Sequence, residues 1–177
     1  MKISYSMRVM LMLSVLIMLA GCGSSKTDSA GGKKLAGKVD ACALLTKDDA
    51  EAILGGTVNA PTTNNAEQGG TVVSQCHYSS IAGGTVKQVG VLARQSPTAD
   101  EARQTFQRAQ SASKELSGTE AQKIAGLGDD AYWTGGKLAQ LNVLKDNVWL
   151  IVTANPGQGD RLEASKTAAN KILAHMQ

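Results

Sequence analysis

Apolar and polar positions change period several times along this chain, and each change marks an element. Residues 9–20 are almost wholly apolar, and residues 23–38 are rich in Gly, Ser, Lys and Ala with a single large apolar residue, Leu35. Residues 40–45 then read as one helical turn. Thr46 opens a second helix, because its hydroxyl can cap the Asp49 amide while Asp48, Asp49 and Glu51 set negative charge in the first turns. Ile53 and Leu54 give that helix an apolar end, and Gly55-Gly56 stops it. Residues 57–70 carry Pro61, Asn64, Asn65 and Gly69 without a period, which predicts a loop with a short strand at Val58.

Alternation begins at Thr71. Val72, Ser74, Cys76 and Tyr78 fall on one face of a strand over residues 71–79, with His77 on the other. Gly83-Gly84 supplies a hairpin turn, and residues 85–94 return with Val89, Val91 and Ala93 on one side. Thr98, with Glu101 three residues on, has the capping-box signature of a long helix. Its predicted buried stripe is Ala99, Ala102, Phe106, Ala109, Ala112 and Leu116, and Gly118 ends it. Further strands are predicted over residues 121–124, 138–144 and 148–154, with turns at Gly135-Gly136 and Asp146-Asn147. Ala139, Leu141 and Val143 would share one face, as would Trp149 and Ile151. Asp160 caps a last helix whose inner side carries Leu162, Ser165, Ala169, Ile172 and Met176. This order predicts an α+β domain, an antiparallel sheet of about five to seven strands covered by helices.

The N-terminal run has another meaning. Lys2 and Arg8 precede it, and Leu19-Ala20-Gly21-Cys22 closes it. A basic start, a short apolar core and a small-residue cut site describe a secretory signal peptide. At 12 residues the run falls short of the roughly 20 that a spanning helix needs. The cysteine at the cut resembles the lipobox of bacterial lipoproteins, which implies that Cys22 is acylated and becomes the first residue of the mature protein. The chain therefore divides into a signal (residues 1–21), a flexible tether (22–38) and one domain (39–177).

Loss of the signal removes Lys2 and Arg8, so the mature chain has 16 basic against 15 acidic side chains. A net charge of +1 offers no basic face for nucleic acid. With Cys22 assigned to lipid, Cys42 and Cys76 remain, and a pair of cysteines in an exported domain reads as a disulfide. The rival readings, metal ligation with His77 or a redox pair, lack a CxxC and have only one other histidine, His175.

Three motifs now stand in order: Asp40-Ala41-Cys42-Ala43-Leu44-Leu45-Thr46, Cys76-His77-Tyr78, and Gly126-Leu127-Gly128-Asp129-Asp130-Ala131-Tyr132-Trp133. The set resembles small exported lipoproteins best known from actinobacteria, which carry Asp-Pro-Cys-x-Leu-Leu-Thr, a later Cys-x-Tyr and Gly-Leu-Gly-Asp-Glu-Ala-Tyr. Here Ala41 replaces the usual proline and Asp130 the usual glutamate. The resemblance implies a PsbP-like α+β fold of the kind found mostly in assembly or binding subunits. It supplies no catalytic residues.

The remaining candidates for chemistry are weak. Gly126-x-Gly128 is not followed by a helix, as a phosphate loop would be, and Asp129-Asp130 lacks the alternating oxygens of a calcium loop. A glycine turn that delivers Tyr132 and Trp133 to the sheet accounts for the motif, with a partner-binding surface around Trp133 and Tyr132 as the functional possibility. His77 could share a strand face with Ser79, but no nucleophile elbow surrounds them, and His175 suits the end of a helix.

The reading is a non-catalytic binding or assembly module. It requires no cofactor or metal, binds the membrane through lipid on Cys22, and meets an envelope protein partner. The alternative is a carrier of a small apolar ligand with a pocket between sheet and helices; an envelope hydrolase is least favoured. Gly23, not aspartate, follows Cys22. That points to the periplasmic face of the outer membrane in a Gram-negative cell, and otherwise to the outer face of the plasma membrane.

Overall fold

The computed structural model describes residues 37–177. The signal segment, Cys22 and the tether up to Ala36 lie outside the described residues. Seven strands form one antiparallel sheet: β1 (Thr62–Gln68), β2 (Thr71–Ala82), β3 (Thr85–Gln95), β4 (Gln122–Lys123), β5 (Asp130–Thr134), β6 (Gln140–Lys145) and β7 (Val148–Asn155). Their order across the sheet is β1-β2-β3-β7-β6-β5-β4. Helices α1 (Ala41–Leu44), α2 (Lys47–Leu54) and α5 (Arg161–Ala174) pack on the front face, while α3 (Ala99–Ser111) and α4 (Ser113–Ser117) belong to the back. The fold is α+β, a helix-covered antiparallel sheet as the order of elements predicts, and it carries the disulfide expected from the cysteine pair. None of the described helices is long and apolar enough to cross a membrane.

Alternation sorts side chains between the faces. The register aligns Cys76 with Val91, Val91 with Val152, and Val152 with Leu141, and all four are buried in the front core. Along β7 buried and half-buried positions alternate without a break: Val148, Leu150, Val152 and Ala154 face front, Trp149 and Ile151 back. The front helices follow their caps. Asp40 accepts from the Cys42 amide, Thr46 and Asp49 form a reciprocal capping box, and Gly55 closes α2 at φ +69°. The Cys42–Cys76 disulfide, with Cα atoms 5.1 Å apart, joins α1 to β2.

The strand ends define two poles. At one, the Gln95 side chain donates to the Gly37 carbonyl (2.8 Å) and accepts from the Val39 amide (3.1 Å). Gly37 and Lys38, expected as the end of the tether, are thus already held by the domain. The other pole carries the Gly83-Gly84 turn, the β5–β6 connection (residues 135–139) and the end of β7.

Three expectations change. The stretch expected as a loop with a short strand at Val58 leaves Val58 outside any strand and instead contains β1, a seven-residue edge strand exposed at every position; with neither side buried it carries no hydrophobic period. The long helix breaks at Ala112 into α3 and α4, so the stripe loses phase: Ser113 and Ser117 are buried and Leu116 is 65% exposed. Strand β6 starts at Gln140, because Ala139 takes φ +46° inside the turn. At the other edge of the sheet, β4 is two residues long.

Candidate binding cleft

The break after α3 leaves an opening. Ala109 of α3, Ser113 and Leu116 of α4, and Leu138 of the β5–β6 connection stand over back-face side chains of β5, β6 and β7. Between them lies a half-open cleft of about 180 Å³, floored by Tyr132, Thr134, Gln140, Asn142, Trp149 and Ile151. No lining residue is charged.

Its floor is held by rings and one amide. Phe106 meets Tyr132 edge-on at 4.9 Å between ring centroids and Trp149 at 6.2 Å. The Trp149 indole N–H donates to Asn142 Oδ1 at 3.1 Å, while Asn142 Nδ2 donates at 3.4 Å to Thr134 Oγ1. These bonds fix which way the buried amide presents its oxygen and nitrogen. Tyr132 is 2% exposed, and burial pushes its phenol up to about 12, so it stays a neutral hydrogen-bonding group at physiological pH. That hydroxyl makes no hydrogen bond with the described residues, yet it is not sealed. Ser165 Oγ is the one buried side-chain polar atom among them that is both sealed and unpaired.

Tyr132 and Trp133, expected to share a partner surface, project to opposite sides of the sheet. Tyr132 belongs to the back, whereas Trp133 is half-buried against the front core. Adjacent residues in a strand point to opposite faces, so the pair cannot form one patch. Asn142, Trp149, Ile151, Leu116 and Leu138 were not singled out as site residues. The shared parity of Trp149 and Ile151 was the available signal; the cleft itself needs the break at Ala112.

The Gly126–Asp130 segment is a structural turn. The Asp129 amide donates to the Leu144 carbonyl (2.7 Å), and its carboxylate accepts from the Asp146 amide (2.6 Å) and Lys145 (3.2 Å). A Cβ on Gly128 would lie 2.4 Å from the Leu144 carbonyl oxygen, so only glycine fits where this turn crosses β6. Asp130 accepts from the Ala131 amide and pairs with Lys123.

The two histidines lie on opposite sides. His77, on the back of β2, rests over Gly90, where a Cβ would come within 2.9 Å of its ring, and makes no hydrogen bond to Ser79. His175, expected to complement the end of α5, also meets Asp49 of α2 through Nε2 at 3.1 Å. Lys171 approaches the same carboxylate at 3.1 Å. Burial alone would raise the Asp49 value, but hydrogen bonds from Thr46, Lys171 and His175 outweigh it and hold the carboxyl at about 2. Among the described residues no three His, Cys, Asp or Glu side chains are grouped to hold a metal. Comparison with known proteins finds no family model, no curated protein and no solved structure that matches this chain.

Proposed function

We propose that this chain is a lipid-anchored binding module of the bacterial cell envelope, without catalytic activity, and that the back-face cleft is its binding site. The observation that carries the reading is the cleft itself, an uncharged recess with a fixed amide and a neutral phenol at its floor. Such a lining suits recognition: apolar walls supply affinity and a few polar groups set orientation. The Cys42–Cys76 bond suits an oxidising, exported compartment. The Leu19-Ala20-Gly21-Cys22 sequence and the three lipoprotein-like motifs support the same location. Gly23 after Cys22 favours the outer membrane in a Gram-negative host.

Acylation is tested directly by the Cys22→Ala variant. The native protein should fractionate with membranes and yield an acylated N-terminal peptide by mass spectrometry, whereas the variant should carry no acyl group. A variant that stays membrane-bound and acylated would remove the anchor from this reading.

Carriage of a small apolar ligand is the second reading, favoured by the existence of a recess between helices and sheet. Volume argues against it. About 180 Å³ is below the roughly 300–1,000 Å³ of typical ligand pockets, which leaves room for a ring but not for a lipid chain.

A further inference from the structure

The large hydrophobic side chains exposed among the described residues are Ile81, Val86, Leu116 and Leu138. Scattered singly, such residues would need no explanation. These are gathered. Ile81 and Val86 are cross-strand partners beside the Gly83-Gly84 turn, and by strand parity both face the back, Ile81 with His77 and Val86 with Gly90. Leu138 sits at the same pole, and α4 is tied to it where the Lys137 amide donates to the Ser117 carbonyl. A shallow depression lined by Gln88, Leu138, Asn155 and Arg161 links the hairpin to the rim of the cleft. The four side chains thus share one face and one pole, opposite the pole that holds Gly37.

We propose that this corner docks an envelope protein which inserts one uncharged, ring-bearing side chain, a tyrosine or phenylalanine, into the cleft and covers the exposed apolar side chains around it. The proposal rests on the binding-module reading and names its partner. Size and charge select the anchor: a cavity of about 150 Å³ accommodates benzene, and the uncharged lining admits no ionised group without a large desolvation cost. A free small molecule in the cleft would leave Ile81 and Val86 in water, whereas a protein surface would bury them.

Leu35 of the chain's own N-terminal segment is excluded by reach. Between Cys22 and Ala36 the one large apolar residue is Leu35, two residues before Gly37. Two residues span about 7 Å, while a strand of 11 residues sets the poles about 35 Å apart. A rim charge adds orientation. Arg161 lines the depression between the hairpin and the cleft rim and forms no ion pair among the described residues. The partner should therefore present an acidic group toward the hairpin.

The test is site-specific photo-crosslinking in intact cells, with a light-activated residue at Leu116 or Leu138 and a control at Thr63 on β1. The expected result is one protein adduct from both rim positions, absent from Thr63, whose captured peptide contains tyrosine or phenylalanine. Filling the cleft by Ala109→Phe should weaken the Leu116 adduct at least tenfold; if that variant fails to fold, Leu138→Asp on the exposed connection decides instead. In parallel, 4-methylphenol should shift the Trp149 indole N–H in NMR spectra of the native mature protein. No shift overturns the proposed anchor. Protein adducts from Thr63 alone overturn the docking corner and leave the module reading standing. Adducts of lipid or a small molecule at the rim overturn the proposal in favour of the carrier. No adduct from any position removes both.

Discussion

Asp49 is nearly buried, yet the network around it favours its charge. Thr46, Lys171 and His175 all reach this one carboxylate, which ties the start of α2 to the end of α5. Its carboxyl sits at about 2 instead of the ordinary 3.8. A folded value below the unfolded one means that the stabilisation is complete above about pH 4 and is lost as pH falls through about 2. The difference corresponds to about 2 kcal/mol. Asp49→Asn is expected to cost about that much in urea unfolding at pH 7 and to flatten the loss of stability between about pH 4 and pH 2. An unchanged slope would assign the acid sensitivity to other carboxylates. The sequence places Asp49 only as a capping residue, because a contact across 126 positions leaves no local trace.

At the scale of elements, legibility follows burial. Helices α2 and α5 announce themselves through Thr46 and Asp160, whose caps act within three residues. Strand β7 is legible because front and back positions differ in environment at each step. Strand β1 is not, since water meets both of its sides and no apolar alternation is required. The α3–α4 break is equally hidden: the helical spacing of apolar residues runs on to Leu116, but the chain turns at Ala112 and exposes it. That break opens the cleft, so the site escapes notice for the same reason. The glycine-rich turn before β5 yields a sharp contrast. Gly128→Ala, at φ +58° and against the Leu144 carbonyl, is expected to cost about 3 kcal/mol or more. Gly126→Ala, at φ +80° with nothing within 4 Å, is expected to cost about 1 kcal/mol. Thermal unfolding of the two variants measures the difference, and equal losses would refute the close-approach argument.

For the whole molecule, the disulfide joins α1 to β2 across 34 residues of sequence. Closing a loop of that length contributes about 4 kcal/mol in the chain-entropy account. The Cys42→Ser/Cys76→Ser double variant is therefore expected to unfold at markedly lower denaturant, with a loss of about 3–4 kcal/mol. A loss below about 1 kcal/mol would mean that α1 is held by its packing alone.

The two sheet edges carry a further consequence. One ends in β1, polar at every position but Ala66, and the other in β4, two residues long. Long apolar edges recruit strands from other molecules, and short or polar edges do not. Confinement to a membrane surface would raise encounters between copies far above those in dilute solution. With edges of this kind, crowding of copies under the proposed anchoring would not by itself extend one sheet with the next molecule's strands.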